Sequence, residues 1–478
     1  MSLGLCFGTS SIALAEAAAT QSLDFNACVE RALAQNPEME ISRAQIEQAS
    51  AAVRQAEAGW MPRLNLSMTG TYSNDALNVF GMKLSQRDAT FGDFGFGQFD
   101  ASNPNILNVA PNDLNDPGAM GNVNTRIELL VPVYNGGMVE SYVQQARAMT
   151  AAAQEGDAAA RQALVKQVTM AYEGVHAARA FIKVGDQARL ASEEYVRIAE
   201  KMLGQGVSLK SDYLMAQVRL DDVRVQLAQA RNQEAVALDQ LRLLLGMALE
   251  TPVDVGAPVV MPAVEGASQD LQAEAVANNP QLNAARHQLS SLNAGVEAAR
   301  AAGRPQVNLM ARQDWNDPGL EFGANSYTVA GVLSWNAFDG GASHAAVDRA
   351  QAARIEMDAK LRQAEDGVRL QLRDAARKAQ EIDERIVARQ RALTQAEEAV
   401  RLTKKRYENG LVTMLELLTA QAQQDKANAD LISARYEQIV QRAEWMRILG
   451  RLTPERLGVA PAAKNVQTPV QKPVGTAS

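Results

Sequence analysis

The chain has 478 residues, of which 47% are hydrophobic and only 5% aromatic, with alanine supplying much of the difference. Its formal charge of −8 excludes the clustered basic surface by which proteins hold nucleic acid. Two cysteines and three widely spaced histidines exclude a disulfide framework and a Cys/His metal centre. No run reaches the ~20 apolar residues of a membrane-spanning helix, which excludes a helical transporter.

The first 15 residues are typical of an export signal. Residues 3–12 are small or apolar, and Ala13-Leu14-Ala15 fits the small-residue rule for signal-peptide cleavage. The basic residues that usually open such a signal are missing, so the true translation start stays open and an ordinary N-terminus is the alternative. We predict a signal peptide over 1–15.

Short motifs recur along the chain at two constant spacings, which predicts an internal duplication. Motifs up to residue 66 recur 243 residues later, whereas motifs from residue 135 onward recur 204 residues later. The difference of 39 residues indicates one insertion in the first copy, between these two positions. The matching pairs include Asn36-Pro37 with Asn279-Pro280, Pro62 with Pro305, Gly206 with Gly410, and Leu245-Gly246 with Leu449-Gly450. We predict repeats over 23–246 and 269–450, with linking segments at 247–268 and 451–478.

Each repeat contains a long window without proline in which apolar residues recur by alternating threes and fours. This heptad pattern is typical of coiled-coil packing, and the many alanines permit close helix approach. The pattern predicts long helices over 138–203 and 342–408. After a glycine break, each is followed by a second helix, over 207–245 and 411–449. Each repeat also begins with a helix before its strands.

Four segments of about ten residues alternate apolar and polar side chains, the period of a β-strand. They lie at about 62–74, 122–133, 305–315 and 326–336. Such strands have the length and alternation of a transmembrane barrel strand, and a soluble sheet with one wet face is the alternative. Four strands cannot close a barrel, so closure in lipid requires several chains, and three copies would supply twelve strands.

In this order, these features resemble the TolC-like outer-membrane efflux protein family, the outer membrane factors of tripartite efflux and type I secretion systems. The resemblance extends from Leu23 to about Leu457. It rests on the duplicated Asn-Pro motif, the proline strand entries, the two Gly-Gly strand exits, and Tyr407-Glu408-Asn409-Gly410 followed by Leu417-Leu418-x-Ala420-Gln421. Each motif is weak alone, and their order and duplication make the match specific.

The resemblance implies a mixed, mostly α fold: a coiled-coil helical barrel across the periplasm joined to a trimeric 12-stranded β-barrel in the outer-membrane lipid. It implies a homotrimer that serves as a passive exit duct. The partners would be a periplasmic adaptor (membrane fusion) protein and an inner-membrane pump, with the RND type favoured over ABC. Segments 247–268 and 451–478 would form a belt around the tunnel. The alternative is a non-membrane periplasmic coiled-coil adaptor or scaffold. We expect no enzymatic activity, cofactor or metal, and the sequence does not encode the cargo.

Asp212 and Glu416 are the candidate periplasmic gate. They are related by the 204-residue spacing and follow the hairpin glycines by six residues, so three chains would gather six carboxylates around one axis. Rings of this kind favour cations. The alternative is that both are helix-start acids favoured by the helix dipole. In the family, these positions carry aspartates at the constriction. This chain departs from the family's best-known member at Val412, which replaces a gate-locking arginine, and at Thr419, which replaces a second aspartate.

The two helical hairpin turns are the candidate adaptor docking surface, because they expose small and apolar groups and the family uses these positions in that way. The predicted docking residues are Gly206, Val207 and Ser208 in the first repeat, and Gly410, Leu411, Val412 and Thr413 in the second.

The insertion, 74–122, is rich in Asn, Asp, Gly and Phe and would be a long extracellular loop. Its phenylalanines could fold inward and narrow the mouth of the duct. The sequence favours instead a surface loop with a small core of its own. The phenylalanines concerned are Phe91, Phe94, Phe96 and Phe99.

Overall fold

The computed structural model describes residues 21–453, so the predicted signal peptide and the tail beyond residue 453 lie outside the described residues. The chain divides into two compact units. We call them the helical unit, which comprises 21–46, 152–285 and 360–453 of the described residues, and the sheet unit, which comprises 47–151 and 286–359.

The elements of the first repeat are β1 (Gln21–Leu23), α1 (Phe25–Gln35), α2 (Pro37–Glu57), β2 (Arg63–Ser73), α3 (Ala76–Ser85), α4 (Asn112–Asn115), β3 (Met120–Tyr134), α5 (Met138–Gly204) and α6 (Lys210–Leu244). Those that follow are β4 (Val253–Val255), α7 (Ser268–Asn278), α8 (Pro280–Ala302), β5 (Gln306–Asp317), β6 (Ala324–Ser334), α9 (Ala342–Glu408) and α10 (Met414–Ile448). The duplication is visible in the helix lengths: α5 and α9 each have 67 residues, and α6 and α10 each have 35. The structure starts α6 and α10 three residues later than the periodicity suggested, because an extended residue precedes each helix.

The asparagine of the repeated Asn-Pro motif joins the start of one helix to the end of another in each repeat. The side-chain carbonyls of Asn36 and Asn279 accept the backbone N–H two residues on, at 2.8 and 3.0 Å, and so cap the starts of α2 and α8. Their side-chain amides donate to the carbonyls of Leu244 and Ile448, at 3.0 and 3.1 Å, in the last turns of α6 and α10. One asparagine therefore satisfies backbone groups of two different helices.

The ends of α6 and α10 press closely on the first helix of each repeat. Gly246 and Gly450 follow these helices with φ of +63° and +69°. A Cβ at Gly246 would lie 2.9 Å from the carbonyl oxygen of Gln35, and one at Gly450 would lie 2.4 Å from that of Asn278. Both the left-handed backbone and the close approach require glycine.

The main core of the helical unit surrounds Tyr172 on α5. Phe25 of α1 meets the Tyr172 ring edge-on with centroids 5.6 Å apart, and the Tyr172 hydroxyl donates to the carbonyl of Ala257 at 3.0 Å. The neighbouring Glu173 is buried and accepts the backbone N–H of Val259 at 2.6 Å. The short parallel pair β1–β4 lies beside this core and ties the N-terminal segment to the segment between the repeats.

The sheet unit contains an antiparallel sheet in the order β2-β3-β5-β6. The register pairs Leu66 with Ile127, Leu129 with Ala311 and Leu309 with Gly331, so the predicted apolar series shares one face across all four strands. This face is exposed to solvent in the single chain. The large apolar side chains on it with the highest exposed fractions are those of Leu64, Leu66, Tyr72, Tyr327 and Val329. Within 21–453, no helix is long and apolar enough to span a membrane.

The opposite face of the sheet carries a connected polar network. The Asp314 carboxylate accepts from Arg126 Nε at 2.7 Å and from Asn124 Nδ2 at 3.3 Å. Asn316 accepts from Asn124 and Asn122 at 3.0 and 3.1 Å. The strand alternation therefore separates an apolar face from a hydrogen-bonded polar face.

Candidate gate and docking site at the helical hairpin ends

The two hairpin turns have the same backbone conformation. Gly206 and Gly410 have φ of +71° and +72°. The N–H groups of Val207 and Leu411 reach back to the carbonyls of Met202 and Arg406, each at 2.9 Å. These are the bonds of a Schellman motif, which ends a helix at a left-handed residue, usually glycine. The two glycine breaks in the sequence are therefore helix stops at equivalent positions.

Asp212 and Glu416 are both the third residue of their helices. The Ser208 hydroxyl donates to Asp212 Oδ2 at 3.0 Å. Thr413 and Glu416 form a capping box, in which the Thr413 hydroxyl accepts the Glu416 N–H at 3.3 Å and the Glu416 carboxylate accepts the Thr413 N–H at 3.4 Å. Both carboxylates therefore make the helix-start contacts of the alternative interpretation, and a ring of six stays a prediction.

Both hairpins share a hydrophobic core, which we call the hairpin-end core. Its buried members come from α5, α6, α9 and α10: Tyr195, Ala199, Ala216, Tyr407, Met414 and Leu417. Burial raises the pKa of the Tyr407 phenol, and the nearby Asp212 carboxylate raises it further. The first hairpin is thereby packed against the second within one chain.

The predicted docking residues divide into exposed and partly buried side chains. Val207 and Leu411 are 63% and 69% exposed. Ser208 is half-buried and bonded to Asp212, whereas Thr413 is exposed at the start of α10. Val412 is half-buried against the hairpin-end core, so it contributes less surface than the sequence suggested.

A polar network next to this core was missed by sequence reasoning. The Tyr195 hydroxyl donates to Gln421 Oε1 at 2.8 Å, and Gln421 Nε2 donates to Asp425 Oδ1 at 2.9 Å. Arg219 Nη2 donates to Asp425 Oδ2 at 2.6 Å. Burial, with the Asp425 charge adding to it, raises the pKa of Tyr195 to about 12, which keeps its hydroxyl protonated as a donor. The network joins α5 and α6 of the first repeat to α10 of the second.

The amino-acid sequence contains only part of the pattern that could have predicted this network. Gln421 belongs to the Ala420-Gln421 motif that repeats Ala216-Gln217, but the residue equivalent to Arg219 in the second repeat is Gln423. The ion pair is therefore specific to one repeat, and its partners are 206 residues apart in the chain. The described residues include no group of three or more His, Cys, Asp or Glu side chains able to hold a metal ion.

These features define a duplicated protein of paired helical hairpins and one four-stranded sheet with an apolar face. Residues 28–247 and 271–451 match the family model described as "Outer membrane efflux protein". The chain therefore belongs to the outer membrane efflux protein family. It is an efflux duct protein of the outer membrane with a periplasmic extension, and the adaptor alternative is not favoured.

Individual relatives have low sequence identity to this chain, but the matches cover most of its length. The chain is 26% identical over 345 residues to the probable efflux pump outer membrane protein TtgC of Pseudomonas putida, which covers 70% of each chain. It is 23% identical over 432 residues to the cation efflux system protein CusC of Escherichia coli, covering 88% of this chain and 85% of CusC. Its fold is similar to the crystal structure of VceC from Vibrio cholerae, with a TM-score of 0.70 at 19% identity, covering 89% of this chain and 96% of that one.

Proposed function

We propose that three copies of this chain form a passive exit duct through the outer membrane, opened at its periplasmic end when an adaptor and an inner-membrane pump dock. The observation that supports the proposal is that the four-stranded sheet has an exposed apolar face and two free edges. Its apolar face is open, and β2 and β6 form its two edges. In lipid, such edges must be paired, and three sheets joined β6 to β2 would close twelve strands. The proposal assigns the chain no enzymatic activity, in keeping with the family to which it belongs.

Assembly is tested by outer-membrane fractionation and by the migration of unheated and heated samples on a gel. We expect the protein in the outer-membrane fraction as a heat-sensitive trimer. A monomer in the soluble periplasmic fraction would contradict the proposal.

We further propose that Asp212 and Glu416 form the periplasmic gate. Both occupy the same helical position in the two repeats, and threefold symmetry would bring six carboxylates around one axis. Carboxylates crowded in this way repel one another and attract multivalent cations. The resting conductance would be governed by this ring and by helix packing, since Val412 provides no charged lock.

The gate is tested with Asp212→Asn combined with Glu416→Gln. Asparagine can still accept from Ser208, and glutamine can still complete the capping box, so assembly should persist. We expect trivalent cations to block current through reconstituted wild-type trimers, with weaker block at low pH, and the double variant to lose most of the block and the cation preference. Asp221→Asn, an acidic residue further along α6, is the matched control and should leave the block unchanged. Equal block in the wild type and the double variant would return the pair to a purely helix-capping role.

The hairpin turns are proposed as the adaptor docking surface, supported by the exposed Val207 and Leu411 side chains. Nothing lies within 4 Å of a Cβ built at Gly206 or Gly410, so a larger residue would project outward. We expect Gly206→Arg or Gly410→Arg to abolish efflux while trimers remain in the membrane. Asparagine at the same positions is the control, because it tolerates the left-handed backbone and adds no charge. Unchanged efflux in both arginine variants would remove the turns from docking.

For the inner-membrane partner, we propose a pump of the RND type rather than an ABC transporter. The support is the sequence resemblance. Co-purification of cross-linked complexes from cells that express each pump type would test it, and recovery with an ABC transporter alone would overturn it.

A further inference from the structure

The insertion in the first repeat joins two strands at the end of the sheet where no strand continues into α2, α5, α8 or α9. The residues 63, 134, 306 and 334 end their strands next to helical segments, whereas 73, 120, 317 and 324 are joined by strand-to-strand connections. The connection between β5 and β6 is only 318–323, but that between β2 and β3 spans 74–119. If the helices extend into the periplasm, the long connection lies at the outer mouth.

The insertion is attached to the polar face of the sheet. Gln86, which follows α3, donates from Nε2 to Asn122 Oδ1 at 2.9 Å and to the Gly121 carbonyl at 3.0 Å. Asn122 in turn donates to Asn316, which belongs to the polar network of that face. Asn122, Asp314 and Asn316 are only 6–8% exposed, whereas Leu66 on the apolar face is 73% exposed.

Arg87 makes a second attachment, from a backbone conformation that arginine rarely adopts. Its φ is +57°, and the bonds from the Arg87 and Asp88 N–H groups to the carbonyls of Leu84 and Lys83, at 3.1 and 2.9 Å, form a Schellman motif with Arg87 at the position that usually holds glycine. The Arg87 guanidinium donates to the carbonyl of Asn325 at the start of β6, at 2.6 Å. Gln86 and Arg87 together therefore tie the insertion to β3 and β6, across β5.

The insertion is a folded element with a small core. Val79 and Met82 of α3 are buried, and the rings of Phe80 and Phe94 meet edge-to-face with centroids 4.8 Å apart. Asp93 pairs with Lys83 and accepts the N–H and hydroxyl of Thr90, at 2.6 and 2.8 Å. These hydrogen bonds, with the bond from Lys83 first, lower the pKa of Asp93 to about 2. Asp93 is therefore ionised at physiological pH, and its contacts link α3 to the segment around Thr90.

We propose that the insertion is an inward-folded cap and that three caps narrow the outer mouth of the duct, so that bulky solutes cannot enter from outside. The proposal rests on the proposed function, because only in a closed barrel does the polar face line a lumen. The cap has a small core, as the sequence favoured, but its buried residues are Val79 and Met82, and the four phenylalanines named from the sequence are 44–81% exposed. Its attachment follows the inward-folding alternative. Residues 74–119 contain six aspartates against one lysine and one arginine, so the narrowed mouth is also anionic.

The cap is tested by the access of thiol reagents from outside intact cells. Asn308→Cys places a thiol on the polar face of β5. Of the two native cysteines, Cys28 is buried and Cys6 belongs to the predicted signal peptide, so neither should compete. In this background, we expect a small maleimide to label the protein and a large polyethylene-glycol maleimide to be excluded. Gln86→Ala combined with Arg87→Gly removes both attachments while glycine keeps the left-handed helix end, and it should admit the large reagent. Replacing 74–119 with the six-residue connection 318–323 should do the same. Asn108→Ala, an exposed residue of the cap, is the matched control and should still exclude it.

Each outcome points to one of the two proposals. If the large reagent labels Asn308→Cys equally with and without Gln86→Ala and Arg87→Gly, the cap proposal is overturned and the duct proposal stands. If even the small reagent fails to label Asn308→Cys in every variant, while trimers are present at the surface, the polar face does not line an open lumen. In that case, both the duct and the cap fail.

Discussion

The strongest quantitative prediction concerns the two faces of β2. Leu66 lies on the apolar face, two residues from the centre of the strand Arg63–Ser73, and its neighbour Asn65 lies on the polar face. At ~3.4 Å per residue, the 11 residues of β2 extend about 37 Å, and a tilt of ~40° reduces this to about 28 Å across the bilayer. This is close to the ~25 Å apolar band of outer-membrane barrels, so in the proposed barrel Leu66 would lie near the bilayer midplane.

Leu66→Arg should therefore cost about 2–4 kcal/mol per chain, the cost of a lipid-facing arginine near the midplane, and about three times that in a trimer. Asn65→Arg should cost much less, because that side chain would face the lumen of the proposed barrel and the register places it directly opposite Glu128. Opposite charges at such a cross-strand pair are mildly stabilising.

The assay is refolding of purified protein into lipid vesicles, with the trimer followed by heat-sensitive gel migration against urea concentration. We expect Leu66→Arg to shift the unfolding midpoint strongly to lower urea, or to prevent assembly, and Asn65→Arg to remain close to the wild type. Equal damage by the two substitutions would show that the assigned lipid-facing register is wrong.

Three further predictions concern the helical unit. Asp425→Ala leaves the partly buried Arg219 without its partner and should lower the free energy of unfolding by about 1–3 kcal/mol. Proteolysis and hydrogen exchange at the hairpin ends should then be faster. Unchanged rates of both would show that the network is not stabilising. Burial raises the pKa of the Glu173 carboxyl, so its ionisation opposes folding as pH rises above the unfolded value of about 4.3. Glu173→Gln should accordingly raise the melting temperature at neutral pH, and the gain should vanish near pH 4; a gain that grows in acid would contradict this sign. Gly450→Ala should lower the melting temperature more than a surface Gly→Ala change, since its Cβ would lie 2.4 Å from the Asn278 carbonyl oxygen, and an unchanged value would mean that the contact relaxes freely.

Features that are encoded within a few residues or by repetition could be predicted from the amino-acid sequence. Helix stops at Gly206 and Gly410 depend on one left-handed residue and two local bonds, so the motif is readable from the chain. The separation of Leu66 from Asn65 onto opposite faces follows from strand geometry alone, and the register confirms that the apolar series shares one face. The duplication was visible because two copies kept their motifs in order, and the family was visible for the same reason.

The contacts between side chains that are distant in the sequence could not be predicted and became clear from the folded chain. Arg219 pairs with Asp425 across 206 positions, and no local pattern distinguishes that arginine from others on the same helix. The attachment of the insertion to the sheet depends on Gln86 reaching Asn122 and Arg87 reaching Asn325, and phenylalanine content alone could not predict these contacts. Val412 faces the hairpin-end core for a similar reason: whether a turn residue is exposed depends on the second hairpin packed against it. Local periodicity sets the elements, whereas the contacts between them depend on how both repeats pack, and no single stretch of the sequence contains that information.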